Sequence, residues 1–240
     1  GVLIVEAGAV FLPHTLLVWA EHCMRDPAKS IWYCDDIISY ENDEPGLYLK
    51  SDCDIDLLRA WPYFGRNIFI TREAFCKFGG ADVGFNHLIA HPLCWRIIED
   101  RGPVSVGHIS EVLMAVEQPV EILAKIPEVQ RELQEATSQH LQRCDISANV
   151  TVDIATGLAR IAYPIASRPL ISIIIPGRDR LPFLKQCIDS LIEVSQYTNY
   201  EILLVDNASE EQEMLDYLHQ LESLNLSRFK ILRYNAPFNF

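Results

Sequence analysis

The chain has 240 residues, 49% hydrophobic and 22% charged, a composition ordinary for a globular protein with a sizeable core. Thirty-three acidic against twenty basic residues give a net charge of -13, which repels phosphate backbones and argues against sequence-independent nucleic-acid binding. Apolar stretches such as Ala7 to Ala20 are interrupted or fall short of the roughly 20 residues a spanning helix needs. No transmembrane segment or signal peptide is expected.

Val2-Leu3-Ile4-Val5 follows directly on Gly1, so the sequence is expected to be a piece of a longer one. Up to about Gln118, short β-like runs (Val2 to Val5, Ser30 to Cys34, Asn67 to Thr71, Val104 to Ile109) alternate with helical stretches near Pro13 to Met24 and Leu88 to Asp100. This region reads as α/β. From Glu128 to Gln142, the positions Val129, Leu133, Ala136, His140 and Leu141 fall at helical spacing. Asn149 to Ile154 and Leu158 to Tyr163 then flank Ala155-Thr156-Gly157, as a hairpin would. Ala166-Ser167-Arg168-Pro169 reads as a linker.

Beyond Leu170 the alternation is regular: strand Ile171 to Ile175, helix Pro182 to Val194, strand Glu201 to Val205, helix Glu210 to Leu224, strand Phe229 to Leu232. Leu184, Ile188 and Leu191 mark one buried helix stripe, and Leu215, Leu218, Leu221 and Leu224 the other. Connections of this length predict parallel strands with right-handed crossovers, half of a doubly wound nucleotide-binding unit. Ligands of such sheets sit outside the carboxyl ends of the strands.

The seven cysteines are scattered singly, with no C-x-x-C pair, which predicts a reducing, cytoplasmic setting. Among themselves, His14, His22, His87, His140 and His219 form no H-x-x-x-H or H-E-x-x-H pair, which gives a zinc site little support. No G-x-S-x-G elbow is present. Neither G-x-G-x-x-G after Ile175 nor a P-loop occurs, so phosphates are not held in those ways. Instead, one strand opens into Pro176-Gly177-Arg178-Asp179 and the next into Asp206-Asn207. A carboxylate and an amide can bond the edge of a base or a ribose, and Arg178 can fork onto a phosphate. The plainer alternative is that Asp206 and Asn207 cap the helix beginning near Glu210.

These residues carry a resemblance. Ser172 to Arg180, Tyr200 to Ser209 and Tyr234-Asn235-Ala236-Pro237-Phe238-Asn239-Phe240 are similar to the opening of a family 2 glycosyltransferase with the GT-A fold. The resemblance implies that Pro176, Gly177, Arg178, Asp206 and Asn207 surround the nucleoside of a nucleotide sugar. Gly177 stands where the family commonly has threonine. The first region resembles the later half of the same family. Val2 to Pro13 is similar to the strand ending in the metal-binding aspartate-x-aspartate loop, and Trp32-Tyr33-Cys34-Asp35-Asp36 to the acidic strand end that follows. The expected aspartate pair falls on Glu6 and Gly8. The catalytic acidic motif falls on Ala90-His91-Pro92, in which neither Ala90 nor Pro92 can serve as a base. His91 next to proline at a helix start is more often structural. Asp35 and Asp36 are a possible remnant of a metal site; the alternative is an exposed turn in the acidic stretch that continues through Glu41, Asp43 and Glu44. Asp54 is expected to cap the short helix through Leu58.

What the resemblance implies is an α/β protein with GT-A-like elements and a mixed, mostly parallel sheet. Residues 1–118 would be the C-terminal part of a degenerate transferase domain, 119–169 a helix and hairpin connector, and 170–240 the nucleotide-binding part of a second domain. The activity implied is transfer of a sugar, with inversion, from a UDP- or dTDP-type donor to the hydroxyl of a glycan or lipid-linked acceptor in polysaccharide synthesis. Mg or Mn would assist it, with ligands not intact here. The remaining domains of the same longer chain would be partners, and the inner membrane face a possible site of peripheral attachment. This piece alone is expected to be inactive. The rival expectation is a non-catalytic module that binds nucleotide sugar or glycan as a scaffold.

Overall fold

The computed structural model describes residues 1–38, 45–117, 120–224 and 226–234. Glu41, Asp43, Glu44 and the 235–240 part of the last motif lie outside the described residues. The chain divides into two compact units, Gly1–Pro164 and Ile165–Phe240.

The first unit runs β1 (Val2–Ile4), β2 (Val10–Phe11), α1 (Thr15–Arg25), β3 (Ile31–Ile38), β4 (Gly46–Tyr48), α2 (Ile55–Ala60), β5 (Ile68–Ile70), α3 (Arg72–Lys77), α4 (His91–Arg101), β6 (Val106–Val116), α5 (Val120–Leu123), α6 (Pro127–Arg143), β7 (Asn149–Val152) and β8 (Ala159–Ala162). Its main sheet has the order β1-β5-β3-β6-β2, with β4 hooked onto β3. β3 and β6 are parallel, whereas β5 and β2 join antiparallel. β3 is buried along nearly its whole length, as a strand covered on both faces must be. Its side chains alternate accordingly. Ile31 and Tyr33 pack with Leu93 and Ile97 of α4, while Trp32 and Cys34 pack with Trp19 of α1. Trp32 lies over Gly107 on the neighbouring strand. A Cβ at that position would come within 2.2 Å of the indole, so only glycine fits there.

β6 is longer than the predicted Val104 to Ile109, because Pro103–Ser105 form a 3-10 turn and the strand continues through Ser110 and Glu111 to Val116. Those two polar residues hid its continuation. The β3–β6 register shifts on both sides of Asp35, and irregularities of this kind re-aim side chains. α4 starts at His91, three residues later than predicted. The reason is Glu132 of α6, a buried carboxylate that accepts the backbone N–H groups of Asn86, His87 and Leu88 and holds them outside the helix. The predicted apolar stripe of α6 is buried as expected, and it packs with Leu88 and with Val150 and Ala159 of the hairpin. Asp54 caps α2 by accepting the N–H of Leu57 at 2.9 Å.

The second unit contains β9 (Ile171–Gly177), α7 (Leu181–Val194), β10 (Tyr200–Asp206), α8 (Gln212–Ser223) and β11 (Phe229–Arg233). All three strands are parallel, in the order β11-β10-β9. Leu181, Leu184 and Ile188 of α7 join Met214 and Leu218 of α8 over Leu204. Leu224, predicted to be part of the stripe, is exposed beyond the end of α8, and Met214 takes the buried place at its start. Among the described residues no helix is long and apolar enough to cross a membrane.

Candidate functional site

Strand register fixes the geometry of the second unit's site. Asp206 stands opposite Gly177 on β9 and opposite Arg233 on β11, so the three residues form one row at the carboxyl ends of parallel strands. The loops beyond them are stitched together. The Asn207 N–H donates to the Gly177 carbonyl at 2.9 Å, and the Asp179 N–H donates to Ser209 Oγ at 2.9 Å. Asp179, Arg180 and Ala208 all adopt left-handed backbone conformations, with φ of +55°, +60° and +56°. Such conformations in non-glycine residues cost free energy and cluster at functional sites.

Asp206 is buried. Its Oδ1 accepts from Ser209 Oγ at 2.5 Å and from the Ser209 N–H at 3.2 Å, and its Oδ2 accepts from Arg233 Nη1 at 2.8 Å. Burial works to raise the Asp206 pKa, but the hydrogen bonds from Ser209 and Arg233 outweigh it and hold the carboxyl below its ordinary value. The carboxylate is therefore ionised and aimed. Among the described residues no side chain caps the first turn of α8; Asp179 Oδ1 accepts the N–H groups of Glu210 and Glu211, just ahead of the helix, at 2.8 and 2.9 Å. The Asp206 carboxylate likewise accepts the N–H of Ser209, ahead of α8 and not within its first turn.

Pro176, Gly177 and Arg178 line a cleft of about 230 Å³ together with Arg180 and Phe183, whereas Asp206 and Asn207 adjoin Gly177 without lining it. Arg178 pairs with Glu210 at 2.7 Å, and both side chains are at least half exposed. Such a pair is worth little, so a phosphate can displace it. A Cβ on Gly177 would meet nothing within 4 Å. Gly177→Thr is accordingly expected to leave the thermal midpoint of the chain unchanged and to add a hydroxyl to the cleft, which paired melting and nucleotide-titration curves would show. Arg233 was missed by sequence reasoning. The available signal was a charge at the end of a strand-like run, as at Asp206, although β11 itself is exposed or half-buried along its length.

In the first unit, Asp35 and Asp36 are buried at the register shift of β3 and do not form an exposed turn. Asp35 Oδ1 accepts the Lys50 N–H at 2.8 Å and lies 2.9 Å from His108 Nε2. Asp36 Oδ2 accepts from Lys50 Nζ at 2.6 Å, and the same ammonium donates to the Phe64 carbonyl at 3.1 Å. Glu6 pairs with Arg66, and its N–H donates to Asn67 Oδ1. Gly65, between Phe64 and Arg66, has φ of +83°, and a Cβ there would stand 3.3 Å from Lys50 Nζ and 3.8 Å from Asp36 Oδ2. A divalent cation needs several hard oxygen ligands free to coordinate. Here these carboxylates already have nitrogen partners, and an ammonium stands on Asp36, so the donor set does not fit the metal that the fold family implies.

His91 is buried in the first turn of α4, and its Nε2 accepts from Trp95 Nε1 at 3.1 Å. Its ring nitrogen is committed, so it does not replace the missing base. Burial, with His140 adding a smaller effect, pushes its pKa down to about 3 from the usual 6.5. A histidine neutral in the fold but protonated when unfolded contributes stability that is complete above pH 6.5 and is lost as pH falls toward 3. Tryptophan-monitored unfolding is expected to show this acid slope, up to about 1.4 kcal/mol per pH unit, and His91→Gln to flatten it.

Glu99, His140 and Cys144 lie close enough to share an ion, yet their hydrogen bonds oppose it. Arg59 Nε donates to His140 Nε2 at 3.2 Å, which places the ring proton on Nδ1, facing Glu99 at 2.8 Å, while Arg143 forks onto the same carboxylate. Metal at Nδ1 would require reversing that tautomer.

A three-stranded parallel sheet in the order β11-β10-β9, with the buried carboxylate of Asp206 at the end of its middle strand, has the architecture of half of a doubly wound α/β unit. Residues 172–237 match the family model described as "Glycosyl transferase family 2", and this segment of the chain belongs to that family. Over 233 residues the chain is 30% identical to "O-antigen biosynthesis protein RfbC" of Myxococcus xanthus, covering 95% of the chain and 18% of that protein. It is also 27% identical over 221 residues to "Uncharacterized protein y4gI" of Sinorhizobium fredii (strain NBRC 101917 / NGR234), covering 89% of the chain and 24% of that protein. The chain thus spans a quarter or less of these relatives' length.

Proposed function

We propose that the second unit binds the nucleotide part of a UDP- or dTDP-type sugar donor, as the donor half of a transferase acting in glycan synthesis. The observation that carries this reading is the row Gly177, Asp206, Arg233 at three parallel strand ends. Asp206 accepts from a ribose hydroxyl or a base N–H, the Pro176-Gly177 turn packs against the nucleoside, and Arg178 leaves Glu210 to meet the diphosphate. The acceptor is a hydroxyl of a glycan or lipid-linked glycan. Transfer with inversion requires that hydroxyl to lose its proton as the nucleoside diphosphate leaves.

The first unit supports a different role. Ala90 and Pro92 carry no titratable group and the His91 nitrogen is engaged by Trp95, so this unit favours the non-catalytic, scaffolding reading. The chain then reads as the tail of one domain (1–118), a helix and hairpin segment (119–169) whose helix and hairpin belong to the first unit, and the head of another domain (170–240). Calorimetric titration of the chain with UDP and dTDP tests the donor reading. Binding is expected, with no dependence on the first unit's carboxylates; absence of binding to either nucleotide at any concentration would sink it.

A further inference from the structure

We propose that the first unit is metal-independent because the chain neutralises its own acidic site: Lys50, His108 and Arg66 occupy the carboxylates that a divalent ion would need. The acidic groups at issue are Glu6, Asp35 and Asp36. Arg66 pairs with Glu6, the His108 ring and the Lys50 N–H meet Asp35, and the Lys50 ammonium meets Asp36.

Two features make this an installed arrangement and not a loose surface pairing. First, the Lys50–Asp36 pair is deeply buried, with the Lys50 side chain 1% and the Asp36 side chain 6% exposed. A buried lysine is retained only where its charge is met, and here the Phe64 carbonyl supplies a second acceptor. Second, the segment 64–67 engages both ends of the site. Phe64 and Gly65 lie on Lys50, while Arg66 and Asn67 hold Glu6. Asp36 Oδ1 is buried without a partner, yet it cannot recruit a divalent ion while an ammonium sits 2.6 Å from its sister oxygen, because the two cations repel at that range. His108 is also braced. Its ring stacks on Tyr33, and its second nitrogen lies 3.1 Å from Asp52. The inference concerns the first unit alone and stands or falls independently of nucleotide binding by the second.

All four tryptophans (Trp19, Trp32, Trp61, Trp95) lie in the first unit, so fluorescence melting of the whole chain reports that unit selectively. The midpoint is expected to be the same in EDTA and in millimolar Mg or Mn. A midpoint raised by either ion in the unsubstituted chain, with the rise lost in Asp36→Asn, would overturn the proposal. Lys50→Met supplies the second arm: a lowered midpoint, or failure to fold, supports the internal cation, and a midpoint equal to that of the unsubstituted chain contradicts it.

Discussion

Lys50→Met is expected to destabilise the first unit by about 3–5 kcal/mol, the usual penalty for removing one partner of a buried ion pair. Asp36 would keep its burial and lose its hydrogen-bonding cation, and the Phe64 carbonyl would lose a donor. Replacing both partners, as in Lys50→Met with Asp36→Leu, is expected to recover most of the loss, since an apolar pair of similar volume avoids desolvating two charges. Urea unfolding followed by tryptophan fluorescence measures both variants. A pH effect accompanies them. Burial raises the Asp36 pKa, and the opposing pull of Lys50 does not fully offset it. A carboxyl whose folded pKa is raised contributes stability below its ordinary value and loses it as pH rises through the folded value. The Lys50→Met penalty should therefore shrink in acid, where Asp36 becomes neutral.

Asp206→Ala is expected to weaken nucleotide binding by roughly 30-fold or more, corresponding to the 2–5 kcal/mol typical of truncating a buried, hydrogen-bonded charge. The substitution removes the acceptor that holds Ser209 and Arg233, and leaves Arg233 with Glu222 at 3.0 Å. Asp206→Asn keeps the shape and one acceptor oxygen, so it should lie between the two. Calorimetry with UDP separates them. Because the Asp206 pKa is lowered in the fold, its contribution to stability is present above the ordinary carboxylate pKa and is lost as pH falls through the folded value. Equal affinity in Asp206→Ala and the unsubstituted chain would remove this residue from the site.

The second unit was legible because its signals are local. The largely apolar run Ile171 to Ile175 marks a strand without help from distant residues, and the polar residues after it mark the strand end; its expected burial is not met, since β9 is exposed or half-buried throughout. The helix stripe failed at Leu224 because the end of α8 is set by chain geometry, which spacing alone does not encode. In the first unit the decisive contacts join residues far apart in sequence. Lys50 reads as an ordinary surface lysine until β4 and the 64–67 segment bring it against Asp36. Glu132 likewise reads as the polar face of a helix, yet it fixes the backbone 45 residues upstream, at His87. Asp35 and Asp36 were visible as an acidic pair, but their burial and their partners depend on the register shift with β6. Sequence shows which groups are present, and long-range pairing decides whether they remain free for chemistry.

In the proposed function, the nucleotide is held at the strand ends of the second unit. Backbone amide NMR of the chain titrated with UDP tests it most directly, since the four tryptophan indole signals report the first unit in the same spectrum. Shifts are expected to centre on Gly177, Arg178 and Asn207, with the indole signals unmoved. Shifts of the indoles with Gly177 and Asn207 unchanged would contradict it.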